Sequence, residues 1–315
     1  MGIVTGRAQS IVPRGPTLAA SESAADRRTR VDRLREVYQR PMAEWPAPQV
    51  DPGVEWRELG LLPALDAPAD NSTSRDKVEL GKKLFFDPRV SGSGQLACAS
   101  CHDPDLGWAD GRTTAYGHRR EALKRNAPTI MNLAHMPAIF WDGRADSLEE
   151  QARQVILNPS EMSSTGDQIA RELTSIPEYR EAFKSVFGSD QIDLDSVAKA
   201  LAAFERTIVG GRSDFDKFLR GDREALTDEA MLGLDLFRGK ARCINCHNGP
   251  AFSDGKFHDL GLSFYGRELE DLGRYKVTNQ PEDVGRFRTP SLRNVAATAP
   301  YMHNGLFELT GVLNM

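Results

Sequence analysis

Apolar residues fall at helical spacing along most of this chain, and few stretches alternate as a half-buried strand would. Residues 76–86 (DKVELGKKLFF) predict an amphipathic helix. It stops at Asp87-Pro88, because proline disfavours helical geometry in the residue before it. Further helices are predicted over 148–157, 167–174, 178–187 and 195–209. The last carries Val197, Leu201, Phe204 and Ile208 at helical spacing, the stripe of a core-facing helix. Pro177 before one helix and Gly188 after it are the expected punctuation, and Thr227 caps a helix over 228–237.

Residues 1–72 read differently. Arginines (Arg27, Arg28, Arg30, Arg33, Arg35) mix with Ala, Ser and Glu, and a proline-rich stretch follows. This predicts one short helix near 25–40 and then an irregular arm, with Trp45 and Trp56 buried to pin it to the body. Gly210-Gly211-Arg212-Ser213 and the polar residues up to Arg223 mark a boundary. The chain thus divides into an arm (1–72), a first domain (73–212) and a second (213–315), and the fold is mostly α. Residues 103–125 form a long glycine-containing loop, and loops of that length are often functional.

With 315 residues, the chain can bury its own cores in two domains. No apolar run reaches the length of a membrane span. A net charge of −5 argues against nucleic-acid binding and suits docking of a basic electron carrier.

The chemistry lies in two short words, Cys98-Ala-Ser-Cys101-His102 and Cys243-Ile-Asn-Cys246-His247, which consume all four cysteines. C-x-x-C-H is the attachment pattern of a c-type haem: the thiols add to the porphyrin vinyl groups and the histidine ligates the iron. A zinc ribbon would need its cysteine pairs ~15–20 residues apart, far closer than these. A thioredoxin-type pair would follow a strand in a βαβ unit, a pattern missing nearby. Each half repeats one plan of amphipathic helix, glycine and haem motif, so two cytochrome-c-like domains are expected, each with one covalently bound haem. Such attachment takes place outside the cytoplasm, which implies a periplasmic location. Met1 to Ala20 lacks the apolar core of an export signal, although Leu18-Ala19-Ala20 would serve as a cleavage end.

The words around the motifs are more specific still. Glu79-Leu80-Gly81-Lys82-Lys83-Leu84-Phe85-Phe86-Asp87-Pro88-Arg89, Phe140-Trp141-Asp142-Gly143-Arg144, Pro159-Ser160-Glu161-Met162 and Thr289-Pro290-Ser291-Leu292-Arg293-Asn294-Val295 occur in that order, followed by Ala299-Pro300-Tyr301-Met302-His303. From about residue 75 onward the chain resembles the bacterial di-haem cytochrome c peroxidase family, which includes the MauG-type enzymes.

That resemblance implies reduction of hydrogen peroxide with electrons from a small donor protein, a cytochrome c or a cupredoxin, and allows a homodimer. The haem on His247 would accept electrons and pass them by way of Trp141 to the haem on His102, where peroxide reacts. His118, in Tyr116-Gly117-His118, matches the family's displaceable ligand to the peroxidatic haem iron; read without the family it is a surface histidine in a basic loop. Glu161 matches the general acid–base carboxyl and Gln151 a second polar group over the haem. Asn126, by its side chain, and Thr298 and Pro300, by their carbonyls, match the ligands of a calcium ion. Histidines 135, 258 and 303 carry no assigned chemistry. The distal ligand of the second haem would fall just beyond Met315, so the C-terminal end is expected to be truncated, Met315 itself ligating only with a shifted register. The alternatives are a MauG-type oxidase acting on a protein substrate, which the presence of His118 disfavours, and a non-catalytic di-haem electron carrier.

Overall fold

Short polar side chains start the helices. Ser23, Ser74, Ser147, Thr165, Asp193, Ser213 and Thr227 each accept a hydrogen bond from the backbone N–H three residues on. The helices they open are α1 (Ala24–Tyr38), α2 (Arg75–Phe85), α3 (Leu148–Leu157), α4 (Gly166–Thr174), α6 (Leu194–Glu205), α7 (Asp214–Leu219) and α8 (Asp228–Arg238). Helix α5 (Pro177–Phe187) starts on its proline and ends on Gly188, whose φ of 77° suits the left-handed residue that closes a helix. Two short helices complete the set, α9 (Tyr275–Thr278) and α10 (Leu309–Leu313), with one two-stranded antiparallel sheet of β1 (Phe257–Asp259) and β2 (Arg286–Arg288). These elements come from a computed structural model that describes residues 22–210 and 212–314; Leu18-Ala19-Ala20, Gly211 and Met315 lie outside the described residues.

Six of the predicted helices lie within a residue or two of those found, and the fold is mostly helical as expected. The exception is α6, which ends at Glu205 rather than 209. The Ile208 carbonyl accepts from the Asn132 N–H at 2.9 Å and the Gly210 N–H donates to Asn132 Oδ1 at 2.8 Å, so residues past 205 bond to a neighbouring loop. Helix α7 lies in the stretch expected to be a polar boundary; its two buried residues, Asp216 and Phe218, are too few to show a period.

The first core gathers Leu80, Leu84 and Phe85 of α2, Val197, Leu201 and Phe204 of α6, and Ile156, Ile169, Leu173 and Phe183 of the helices between. A second joins Tyr38, Trp45 and Leu59 to Phe218, Met231, Leu234 and Ile244. The arm therefore belongs to the packing of the second half. Its anchor is Arg238, fully buried between the rings of Tyr38 and Trp45, ion-paired to Glu58 and bonded to the Pro46 carbonyl at 2.9 Å. Trp45 is buried as expected, but Trp56 is 37% exposed: Leu59 and the Arg238–Glu58 pair hold this part of the arm instead.

The halves also repeat one another in detail. Asn132 and Asn294 both take a left-handed φ (61° and 60°) and each opens a one-turn 3-10 helix. Phe140 and Met302 follow at φ 68° and 69°, inside the matching bridges Ile139–Ala145 and Tyr301–Phe307. Two backbone bonds then cross between the halves, both at 2.8 Å: Asn126 N–H to the His303 carbonyl, and Arg288 N–H to the Trp141 carbonyl.

Helix α2 can cross α6 closely only because residue 81 is glycine; a Cβ there would collide with the backbone carbonyl of Ala200. Alanine would gain about 1 kcal/mol in helix propensity. Overpacking costs about 1–3 kcal/mol or more, and here the obstacle is backbone. Gly81→Ala should therefore lower the denaturant midpoint; an unchanged midpoint would mean the crossing can open.

Candidate active site

Each haem motif folds as a tight turn whose histidine N–H returns to the first cysteine carbonyl, at 3.0 Å for His102 and 2.9 Å for His247. The rings are then fixed from the other side. His102 Nδ1 lies 3.1 Å from the Trp108 carbonyl and His247 Nδ1 lies 3.0 Å from that of Phe252. A carbonyl only accepts, so Nδ1 carries the proton and Nε2 keeps a bare lone pair, the arrangement found in metal-ligating histidines. Burial lowers both imidazole pKa values, which favours the neutral ligand form.

His102, Cys98 and Cys101 line a cavity of about 650 Å³, within the usual range for a bound cofactor. Its walls are largely apolar, with Leu133, Ile139, Ala152, Val155, Ile156 and Leu201. Burial raises the Cys98 thiol pKa strongly and pushes Cys101 up to about 11, with Glu205, Asp110 and Glu161 adding to the effect. Thiols held neutral in this way are poor thiolate ligands for zinc. They fit covalent attachment of a porphyrin beside a histidine with a free Nε2. In the second half Cys246 Sγ lies near the Asp254–His258 pair, bonded at 2.8 Å, the one cluster of metal-ligand type among the described residues.

Trp141, Gln151 and Glu161 line the same cavity. Glu161 follows α3 on a turn that closes on the Asn158 carbonyl at 3.0 Å. Its Oε2 is buried without a partner, while Oε1 lies 3.8 Å from Arg144 Nη2. Burial raises the pKa of this carboxyl and Arg144 partly offsets the rise. Trp141 is buried, donates Nε1–H to the Asn126 carbonyl at 3.0 Å, and lies edge-on to the His303 ring at 6.4 Å. His303 in turn stacks on Phe287 at 3.6 Å.

His118 is not among the residues that line the cavity, though Tyr116, Gly117 and Glu121 around it are. Its N–H is held by the Ser160 carbonyl at 3.0 Å, next to Glu161, and its Nδ1 is buried without a partner. A side chain at Gly117 would collide with that same carbonyl. Arg119 and Arg120 both adopt left-handed φ values (56° and 60°), a conformation that costs roughly 1–2 kcal/mol per non-glycine residue. The loop carrying His118 is therefore strained.

The expected calcium ligands come from both halves. The Asn126 amide nitrogen donates to the Arg112 carbonyl at 2.8 Å, which leaves the amide oxygen as the donor atom for a cation. Its backbone N–H binds His303, close in sequence to Thr298 and Pro300, and Ala297 and Thr298 pack against Gly107.

Sequence reading missed the charged groups around this set. Arg125 bonds Asp142 and Asp271, both at 2.6 Å, so it links the halves, and Asp142 also holds Arg144 at 3.1 Å. Glu205, at the end of α6, lines the cavity with its Oε2 unpartnered. The repeat Pro128-Thr129…Asn132-Leu133-Ala134 and Pro290-Ser291…Asn294-Val295-Ala296 would have pointed to Arg125 and Arg288, which stand just before its two copies.

Comparison with known proteins gives consistent results. The family described as di-haem cytochrome c peroxidase matches residues 75–224. The methylamine utilization protein MauG of Methylorubrum extorquens is 45% identical over 251 residues, covering 78% of this chain and 70% of that protein. The cytochrome c551 peroxidase of Nitrosomonas europaea is 45% identical over 231 residues, covering 73% and 69%. Among solved structures, a MauG-like protein associated with microbial copper homeostasis superposes with a TM-score of 0.76 at 33% identity, covering 82% of this chain and 81% of that one. The diheme peroxidase BthA of Burkholderia thailandensis gives 0.68 at 25% identity, covering 85% and 80%.

Burial lifts Glu205 from 4.5 to about 8. A carboxyl raised in this way stabilises the fold fully below about 4.5, and that contribution is lost as pH climbs to about 8. Glu205→Gln keeps the shape without the titration, so its denaturant midpoint should fall less across that window than the parent's. Parallel curves would show that Glu205 does not titrate there.

Proposed function

The chain belongs to the di-haem cytochrome c peroxidase family, which includes the MauG-type enzymes, and from that premise we propose that it reduces hydrogen peroxide to water with electrons from a small redox protein in the periplasm. It is an oxidoreductase acting on peroxide. Among the described residues no helix is long and apolar enough to cross a membrane. Cys98, Cys101 and His102 would hold one haem and Cys243, Cys246 and His247 the other, in the two cytochrome-c-like halves, 73–212 and 213–315. When bound, the haems would supply electron storage and an iron site for peroxide.

The observation that carries this reading is a buried, unpartnered carboxyl oxygen, Glu161 Oε2, in the same cavity as a histidine with its Nε2 free. A carboxyl in that setting takes the proton from one peroxide oxygen and delivers it to the other, which leaves as water. The net change is one peroxide, two electrons and two protons to two waters. Burial keeps Glu161 ready to hold the proton, and Arg144 at 3.8 Å restrains the rise. Gln151 would orient peroxide from α3. Trp141, hydrogen-bonded to Asn126 and in edge contact with His303, stands at the junction of the halves, where an aromatic ring can relay charge.

His118 would act as the displaceable ligand. The strain at Arg119 and Arg120 supports a loop with a second conformation within reach, since such strain concentrates at switch regions. Asn126 with the carbonyls of Thr298 and Pro300 would hold calcium between the halves. The likeness to MauG proteins supports a second reading, oxidation of a protein substrate; His118 favours the peroxidase. A reduced cytochrome c supplied with peroxide separates the peroxidase from a plain carrier, which would not turn over.

Glu161→Gln should keep two haems per chain by pyridine haemochrome and lower peroxidase turnover by about 10²–10⁴-fold. Full turnover in that variant would remove Glu161 from the mechanism. Chelation should alter both the haem spectra and the rate; if neither moved, calcium would have no part.

A further inference from the structure

Cations from both halves line the cavity beside His102: Lys124, Arg125, Arg144, Lys276 and Arg288. Four are accounted for. Arg125 pairs with Asp142 and Asp271, Lys276 with Asp271 at 2.9 Å, and Arg144 with Asp142 at 3.1 Å. Lys124 is exposed to solvent. Arg288 differs: it is buried, and among the described residues no carboxylate pairs with it.

Its surroundings fix the side chain without neutralising it. Nε donates to the Phe140 carbonyl at 3.1 Å and Nη1 to the Thr289 carbonyl at 3.4 Å, while the backbone N–H holds the Trp141 carbonyl at 2.8 Å. These bonds leave over both Nη2 donors and one of the two on Nη1. Burial lowers its pKa to about 10, so the guanidinium stays protonated at neutral pH. Neither of the cavity's carboxyls with an unpartnered oxygen is its partner: the charges acting on Glu205 are Arg206 and Glu149, and those acting on Glu161 are Arg144, Asp142 and Arg125. A buried cation without a counter-charge is costly, and a planar fork with free donors matches a carboxylate.

We propose that Arg288 is a carboxylate-binding residue, and that the second half of the chain uses it to grip a propionate of the haem held by His102. The inference rests on the reading that Cys98, Cys101 and His102 carry a haem. The grip is stiff, because the same residue is bonded to the backbone of Phe140 and Trp141. Its charge would also offset that of the propionate and so favour electron uptake by the haem.

The test uses the full haem-loaded chain with Arg288→Met and Arg288→Lys. Three quantities are read: haem content, the reduction potential of the haem on His102, and its propionate bending mode by resonance Raman. Arg288→Met should keep two haems, lower the potential and shift the propionate mode. Arg288→Lys should recover most of the potential, because it keeps the charge, and still shift the mode, because it loses the fork. An unchanged potential and mode in fully loaded Arg288→Met overturns the proposal. If that variant does not accumulate, the mode in Arg288→Lys decides, and no shift there overturns it equally. Absence of haem from the unaltered chain would instead overturn the reading beneath it.

Discussion

The hydrogen bonds from His102 Nδ1 to the Trp108 carbonyl and from His247 Nδ1 to the Phe252 carbonyl are the contacts on which the chemistry depends. Each forms only because the accepting residue turns its carbonyl inward, and Trp108 and Phe252 both do so at left-handed φ values, 64° and 52°. Such backbone costs roughly 1–2 kcal/mol per residue. Aromatic packing offsets it: Trp108 lies edge-on to Phe85 and Phe204, and Phe252 to Phe215 and Phe237. Aromatic pairs of this kind contribute about 0.5–1.5 kcal/mol each beyond their burial. The two cores therefore do more than hold helices together. They hold two peptide units in strained conformations that leave each imidazole with one nitrogen tied and the other bare.

The halves are joined by reciprocal bonds, and this bears on charge movement. Asn126 reaches into the second half and Arg288 into the first, each at 2.8 Å, and the carbonyls they hold belong to His303 and Trp141. Those two residues occupy equivalent places in the repeat, and their rings meet edge to face. Arg125 adds charge to the seam through Asp142 and Asp271, and its guanidinium lies over the Phe287 ring that stacks on His303. A junction built from backbone bonds and buried ion pairs resists sliding, so the distance across it is well defined.

What was legible in the sequence follows from how local each signal is. The helices were readable because their caps and apolar faces lie within a dozen residues, and the haem motifs because five consecutive residues hold the whole attachment geometry. Glu161, Gln151 and Trp141 were reachable only through the family resemblance, since nothing local shows that a glutamate after a helix faces a cavity. Arg125 and Asp271 could not be read together, because they stand far apart in the chain and their meaning is in their pairing, and nothing local shows that Arg288 is buried without a counter-charge. The burial of Trp56 was misjudged because a large aromatic suggests an anchor, whereas the arm is held by Leu59 and a charge pair, Arg238 with Glu58. The end of α6 was misjudged because Ile208 continues the helical stripe while Asn132 competes for its carbonyl.

The unsatisfied groups complete the physical picture. Folded proteins leave few buried polar atoms without partners. Here Glu161 Oε2, Glu205 Oε2, His118 Nδ1 and His303 Nε2 are all such atoms. Two belong to residues that line one cavity, one to the strained loop beside it, and one to the ring that contacts Trp141. Other such atoms lie elsewhere, on Arg30 and Arg35 of α1 for example, so these four are distinguished by their place around the cavity and the junction. Burial shifts the cluster in opposite senses, raising the two carboxyls and lowering His303 to about 4. All three are therefore favoured in the neutral form, so a proton entering the region meets acids that can hold it and an imidazole that does not compete. That division fits the proton transfer proposed for Glu161, with the histidine at the junction uncharged beside the tryptophan.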